Sequence, residues 1–331
     1  MSVGRFESPE DFVVEELPAY EPQGEGTHTF LWIEKRLRNT EDVARELARA
    51  AGVAARDVGY AGRKDRFAVT RQYFSVPGLS ATTALGLRLD GARVLRAEAH
   101  RHKLRTGHLV GNRFELRVRG SGSEQVARAT LALQSLTAVG LPNRFGDQRF
   151  GRGGENVERG RRLLAGEALK VDRRQARFLV SSLQAAVFNE VLRARPLRLD
   201  EVEVGDLARR TDSGGIFRVE DVAAENERAQ RFEISATGPI FGTRVESPAG
   251  AVEIREQEAM AAFGLASGPL DPPKGVRIRG ARRPLRVPVH DLSLAHEADT
   301  LHIRFELPAG SFATVLMDEL LGGLPRVSSP T

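Results

Sequence analysis

The chain reads as an α+β protein of two domains, one of them discontinuous. Three features predict this. Strand-like alternation clusters at both ends of the 331 residues, helices fall between strands without a regular strand–helix repeat, and a middle segment of different composition separates the two strand-rich ends. A chain of this length is expected to form about two domains, each with its own core. An insertion between two like ends places residues 1–140 and 274–331 in one domain and 141–273 in the other. No internal period appears, and no alternation is long enough for a parallel nucleotide-binding sheet.

Taken in order, Phe12 to Leu17 and His28 to Lys35 alternate like strands and flank the turn-rich Pro22-Gln23-Gly24-Glu25-Gly26. A helix follows, capped by Asn39 or Thr40, with Val43, Leu47 and Ala50 or Ala51 as its apolar stripe and Gly52 as its stop. Arg93 to Ala99 and Arg113 to Arg119 read as strands before a helix from Ser123 to Val139, ended by Gly140 and Pro142. A Gly- and Arg-rich stretch, Asn143 to Asn156, leads to a long helix from Asp172 to Ala194 that Pro196 terminates. Strands are expected at Ile216 to Val219 and Arg231 to Ala236, then a Gly238-Pro239 turn and a helix over Ile254 to Phe263. Ser267 to Pro273 reads as a linker. Strand character returns at Val276 to Ile278, Arg286 to Leu292 and His302 to Leu307, and a last helix runs from Ser311 to Gly322.

Composition excludes several function classes. With no cysteine, thiol catalysis, Fe–S clusters and Cys-based zinc sites are ruled out. The N-terminal residues carry no apolar run of signal-peptide length, so a soluble cytoplasmic protein is expected. His290, His296 and His302 recur every six residues, which matches neither one helical face nor a zinc pattern, and no metal is implied. Charge is uneven: Arg93 to Arg119 holds eight basic residues against two acids, whereas Pro196 to Met260 holds fourteen acids against eight bases. A basic face for a polyanion is the functional reading, and an arginine-rich solvated surface the plain one.

The chemistry is expected at Gly59 to Ser75, G-Y-A-G-R-K-D-R-F-A-V-T-R-Q-Y-F-S, a Gly-punctuated turn that presents Lys64 and Asp65 before an apolar, aromatic strand. Gly59 and Gly62 permit backbone angles and close approaches denied to other residues. Aspartate in a strand-flanking turn is also common for purely structural reasons, because it bonds its own backbone.

Ala61, Gly62, Lys64, Asp65, Ala68, Thr70 and Gln72 reproduce the Ala-Gly-x-Lys-Asp-x-x-Ala-x-Thr-x-Gln signature, and on these residues the chain resembles the TruD family of tRNA pseudouridine synthases. Further blocks follow in family order: Pro9-Glu10-Asp11-Phe12, Asn39-Thr40, Gly111-Asn112-Arg113-Phe114, Pro142 to Gly151, and Leu307 to Thr314. The resemblance implies a pseudouridine-synthase catalytic domain with a mixed, mainly antiparallel sheet, interrupted by an α+β TRUD domain. It implies Asp65 as the catalytic residue, with Phe12, Asn112, Phe114 and Phe312 lining the substrate site. Two departures matter. Phe67 stands where many members have His, so no proton transfer is assigned there. The basic residue that members carry six positions before the N-terminal Phe falls on Phe6, which leaves neighbouring Arg5 and Lys64 as candidate charge partners of Asp65.

Pseudouridine formation breaks the C1′–N1 bond of uridine and rejoins the base through C5, so no cofactor is required. An aspartate, ordinarily titrating near about 3.9, is already the anion that such a step uses, as nucleophile at C1′ or as base on the ribose. The uracil must leave its stack, at a cost of a few kcal/mol, and an aromatic face returning about 1–3 kcal/mol is the natural receiver. Arg144, Arg149 and Arg152 in the Gly-rich stretch are candidate RNA contacts. The expected partner is tRNA, modified by resemblance at position 13 of the D-arm, with no membrane and no obligatory protein partner. The rival readings are a non-catalytic RNA-binding protein or RNA-folding chaperone on the same scaffold, and a carboxylate-based N-glycosidase.

Overall fold

A computed structural model describes residues 4–265, 272 and 275–327. In chain order the elements are β1 (Arg5–Phe6), β2 (Phe12–Pro18), β3 (His28–Arg36), α1 (Thr40–Ala51), β4 (Gly59–Tyr60), β5 (Val69–Pro77), α2 (Ala81–Leu85), β6 (Ala92–His100), β7 (Leu109–Arg119) and α3 (Ser123–Val139). There follow β8 (Leu141–Pro142), α4 (Glu155–Leu164), α5 (Arg173–Ala194), β9 (Leu207–Arg210), β10 (Ile216–Arg218), α6 (Val222–Gln230), β11 (Ile234–Ile240), α7 (Gly250–Ala262), β12 (Ala281–Pro284) and β13 (Arg286–Val287). The chain closes with β14 (His290–Glu297), β15 (Thr300–Pro308), α8 (Ala313–Leu321) and β16 (Arg326–Val327).

Two compact units result: residues 1–133, 289–313 and 317–331, and residues 134–288 with 314–316. The second unit therefore takes 134–140, 274–288 and 314–316, which the sequence assigned to the discontinuous domain. For 281–287 the cause is pairing: β12 joins β11 and β13 joins β8, both within 134–288.

The first unit is built on a ten-stranded sheet whose main path runs β14-β15-β7-β2-β5-β3-β6. Only β2–β5 and β1–β16 pair in parallel, so the sheet is mixed and mainly antiparallel. Strand alternation sorts its side chains by face. Leu31, Ile33, Phe74 and Val76 point to one face, where Val43, Leu47 and Ala48 of α1 cover them. Each such aliphatic side chain contributes about 1.5–3 kcal/mol by leaving water. Gly52 ends α1 in the left-handed conformation (φ 67°), as its position after the apolar stripe requires. On the opposite face Phe30, Tyr73, Ala61 and Leu104 form a second cluster with Trp32 packed against it.

The second unit packs α5 with Leu163 and Leu164 of α4, Phe241, Val276 and Ile278 into one core, beside the sheet β10-β9-β11-β12. Here the structure departs from the sequence reading, which anticipated none of α4, β9 and β12, and the departures below have identifiable causes. Gly238 and Pro239 lie inside β11; at Pro239 the strand pairs only with β12, because β9 pairs no further than Ala236, so the missing N–H breaks no ladder. Arg231 to Glu233 are not strand but the exit from α6, a helix absent from the sequence reading, with Phe232 at φ 58°. Val276 and Ile278 enter the core but form no strand; a lone bridge, Thr243 to Arg279, stands there. Arg286 to Leu292 divides into β13 and β14, which belong to different units. The expected linker Ser267 to Pro273 lies outside the described residues apart from Pro272. Among the described residues no helix is long and apolar enough to cross a membrane.

Candidate active site

One row of residues across the first unit's sheet locates the site. Lys35 on β3 faces Thr70 on β5, Thr70 faces Val14 on β2, Val14 faces Phe114 on β7, and Phe114 faces Phe305 on β15. Paired residues share a face, so this row lies on the α1 side of the sheet. The Lys64-Asp65 turn is tied to the row from above. Lys35 Nζ donates to the Asp65 carbonyl at 2.9 Å and to those of Lys64 and Arg38 at 3.4 and 2.7 Å. The turn's other anchors are side chains: Thr40 Oγ1 accepts from the Lys64 backbone N–H at 3.0 Å, and Gln72 Nε2 donates to the Gly62 carbonyl at 2.9 Å. Thr40 in turn donates to Gln72 Oε1, so the helix start, the turn and β5 close one network. Asp65 itself is exposed.

Gly59 and Gly62 divide the role the sequence gave both. A Cβ on Gly59 would strike the Leu104 carbonyl and the Ser75 hydroxyl, so only glycine fits there. Gly62 has neither a positive φ nor a tight contact and is not constrained in this way.

Under the turn lies a buried ion pair. Lys64 Nζ stands 3.0 Å from Glu16 Oε2, with side-chain exposures of 4% and 0%, and the Tyr73 backbone N–H donates to Glu16 Oε1 at 3.2 Å. Burial pushes the Glu16 carboxyl above its ordinary value against the opposing pull of Lys64. Glu16 faces Asn112 across the β2–β7 ladder, and the Oδ1 of Asn112 is a buried acceptor with no partner among the described residues. Thr70 Oγ1, in the row beneath Asp65, is another. Unpartnered buried polar atoms are uncommon, and Asn112 Oδ1, on a half-buried residue, is the one of these two that a ligand could reach.

The aromatic candidates divide by exposure. Phe114 is 6% exposed, stacked on Phe305 at 4.9 Å and tilted against Phe12 at 6.4 Å. It belongs to a Phe6–Phe12–Phe114–Phe305 ladder and backs the half-buried ring of Phe12. Phe312 is the residue before α8, just past the end of β15, whose Leu307 faces Asn112. Phe67, two residues from Asp65, is an exposed ring with the Arg66 guanidinium 5.6 Å from its centroid.

The candidate charge partners are engaged elsewhere. Arg5 stands at the Arg119 end of β7 and bonds Glu7 at 2.7 Å, while Lys64 is held by Glu16. The ammonium that feels Asp65 is that of Lys35. Sequence reasoning missed both Lys35 and Glu16, although a signal was present. In Leu31-Trp32-Ile33-Glu34-Lys35 and in Val14-Glu15-Glu16, a charge occupies the inward register of an alternating strand.

In the second unit, Arg149 lies over the rings of Phe145 and Phe178 at 5.4 and 5.9 Å and donates to Ser181 Oγ at 2.5 Å; its Nε has no partner. Arg144 is half-buried and Arg152 exposed. Their loop does not trail through solvent. Asn189 of α5 grips both backbone groups of Phe145, and Ser182 donates to the Arg149 carbonyl.

Comparison with known proteins gives a single answer. A family model described as tRNA pseudouridine synthase D (TruD) matches residues 4–169 and 164–320. Proteins named tRNA pseudouridine synthase D are similar along nearly the whole chain. The Geobacter metallireducens protein is 40% identical over 96% of this chain and 95% of its own, and that of an Anaeromyxobacter species 44% over 95% and 91%. The Thermus thermophilus protein is 42% identical over 95% and 87%. A Methanosarcina mazei crystal structure with the same TruD designation shares the fold, with a TM-score of 0.77 at 20% identity, covering 97% of this chain and 94% of its own.

Proposed function

The chain belongs to the tRNA pseudouridine synthase D (TruD) family, and from that premise we propose that it isomerises uridine to pseudouridine in tRNA, at position 13 of the D-arm, with Asp65 as the catalytic carboxylate. The observation that carries this reading is the exposed Asp65 on a turn with buried anchors, whose Lys64 pairs with Glu16, opposite the unpartnered Oδ1 of Asn112.

The reaction balances without a co-reactant. The C1′–N1 bond of uridine breaks, a C1′–C5 bond forms, the proton on C5 is lost and N1 gains one. Asp65 serves as nucleophile at C1′ or as base at C2′, two routes that a deuterium isotope effect at C2′ distinguishes. Holding the carboxylate in place is the turn's contribution, because a misplaced reacting group forfeits much of the benefit of proximity. The flipped uracil would lie against Phe12, with Phe114 as its backing and Phe312 completing the pocket. Its N3–H is the donor that suits Asn112 Oδ1. In this reading the first unit is the catalytic domain, working in the cytoplasm. The second is the family's inserted domain, positioning the RNA with Arg144, Arg149 and Arg152.

The test uses an unmodified tRNA transcript labelled with tritium at uracil C5, whose release reports isomerisation. Wild-type protein is expected to release the label at one uridine, and Asp65→Asn to abolish release while holding tRNA within about threefold of the wild-type affinity. Release by Asp65→Asn at the wild-type rate removes Asp65 from the chemistry. Binding without release supports the RNA chaperone, and free uracil the N-glycosidase.

A further inference from the structure

Lys35 is 1% exposed, yet among the described residues no carboxylate bonds its ammonium. A desolvated cation is costly unless paired, and an aliphatic residue would continue the Leu31–Ile33 stripe without that cost. Among the described residues three carbonyl oxygens are its only hydrogen-bond partners, and two belong to Lys64 and Asp65. We propose that Lys35 is the positioning residue of the catalytic turn: its ammonium fixes the backbone from which the Asp65 carboxylate projects and supplies the positive charge that balances it. The role falls to Lys35 because Glu16 occupies Lys64 and Glu7 occupies Arg5. This rests on the reading of Asp65 as the catalytic carboxylate.

The groups acting on Lys35 come from each neighbouring element: Asp65 and Lys64 from the turn and Glu41 from α1. Glu41 is itself paired with Arg63, which leaves Asp65 as the acid with most influence. Burial brings the Lys35 ammonium down to about 8, against the pull of Asp65. The cation therefore begins to disappear within an accessible range of pH.

Single-turnover tritium release is measured from about pH 6 to about pH 10 for wild type, Lys35→Met and Lys35→Arg. Lys35→Met is expected to slow release about 100-fold while tRNA affinity stays within about threefold. The wild-type rate should fall around pH 8, a limb absent from Lys35→Met and moved upward in Lys35→Arg, whose charge persists. A fall shared by all three proteins belongs to the RNA and overturns the proposal, as does a wild-type rate in Lys35→Met. If Lys35→Met does not fold, Lys35→Gln, which keeps N–H donors without the charge, takes its place. Hydrogen exchange without RNA provides an independent reading. Amides of residues 62–68 should exchange about tenfold faster in Lys35→Met, and unchanged exchange overturns the positioning role. If wild type forms no pseudouridine, the functional reading fails, and exchange alone decides whether Lys35 holds the turn.

Discussion

Replacing Lys64 by methionine isolates the ion pair beneath the turn, and its energy can be bounded from the structure. The substitution preserves most of the side-chain volume and leaves Glu16, fully buried, with the Tyr73 N–H as its remaining hydrogen bond. Breaking a buried pair by removing one partner typically costs about 3–5 kcal/mol. Glu16 has one escape, which is to take up a proton. For a glutamate ordinarily near 4.5, that takes about 4 kcal/mol at pH 7.5 and under about 1 kcal/mol at pH 5, at about 1.4 kcal/mol per unit. The sign follows. In the variant, folded Glu16 holds a proton that the unfolded chain has released above about 4.5, so stability relative to wild type falls as pH rises. The deficit should be about 4 kcal/mol at pH 7.5 and shrink to about 1 kcal/mol at pH 5. Trp32, the only tryptophan, lies in the first unit with its ring 4.7 Å from that of Tyr73, so its fluorescence during urea unfolding reports this unit. A deficit below about 1 kcal/mol at pH 7.5, or one independent of pH, refutes the argument that the pair is buried and coupled.

Lys35 supplies a contrasting pH dependence. Its pKa is about 8 folded against 10.5 for an ordinary lysine, so between those values the unfolded chain holds more protons and the Lys35 contribution to stability rises with pH, by up to about 3 kcal/mol. Catalysis should decline over the same interval; Trp32 urea midpoints of wild type against Lys35→Met, set beside the rates, show whether the two diverge. Gly59→Ala drives a methyl into the Leu104 carbonyl and should destabilise the first unit by about 1–3 kcal/mol, measured by the same fluorescence. Asn112→Ala removes an oxygen with no partner among the described residues, so stability should change by less than about 1 kcal/mol. Steady-state kinetics should nevertheless show kcat/KM for tRNA reduced about tenfold or more.

What was legible in the sequence is what local chemistry dictates. Ser123 to Val139 and the helix ending at Gly52 were bounded correctly because caps and glycine stops are written into neighbouring residues. The long helix through Phe188 was found by its apolar spacing, and the structure adds the cap that the Asp172 side chain makes. Apart from the unrecognised helix α6, these misreadings share a cause, since each depended on a distant partner. Whether Gly238-Pro239 turns or extends is decided by how far β9 reaches along β11, and whether Val276 to Ile278 forms a strand by whether anything pairs with it. The turn that carries Asp65 was readable through its motif. Its cation was not, because a lysine 30 residues earlier in the chain becomes its neighbour only when β3 and β5 pair.

That non-local origin bears on how the site is assembled. Besides the buried Ala61 and Ala68, the turn is held by Lys35 from β3, Thr40 from α1, Glu16 from β2 and Gln72 from β5. Each anchor is a buried polar group, costly to leave unmatched, so the four are satisfied together only when strand register and helix start are correct. A one-residue slip of β3 would turn Lys35 to the opposite face and place Glu34 or Arg36 toward the turn. The geometry of the turn and the register of the sheet are thus specified by the same residues, which is why an exposed turn can hold Asp65 in one place.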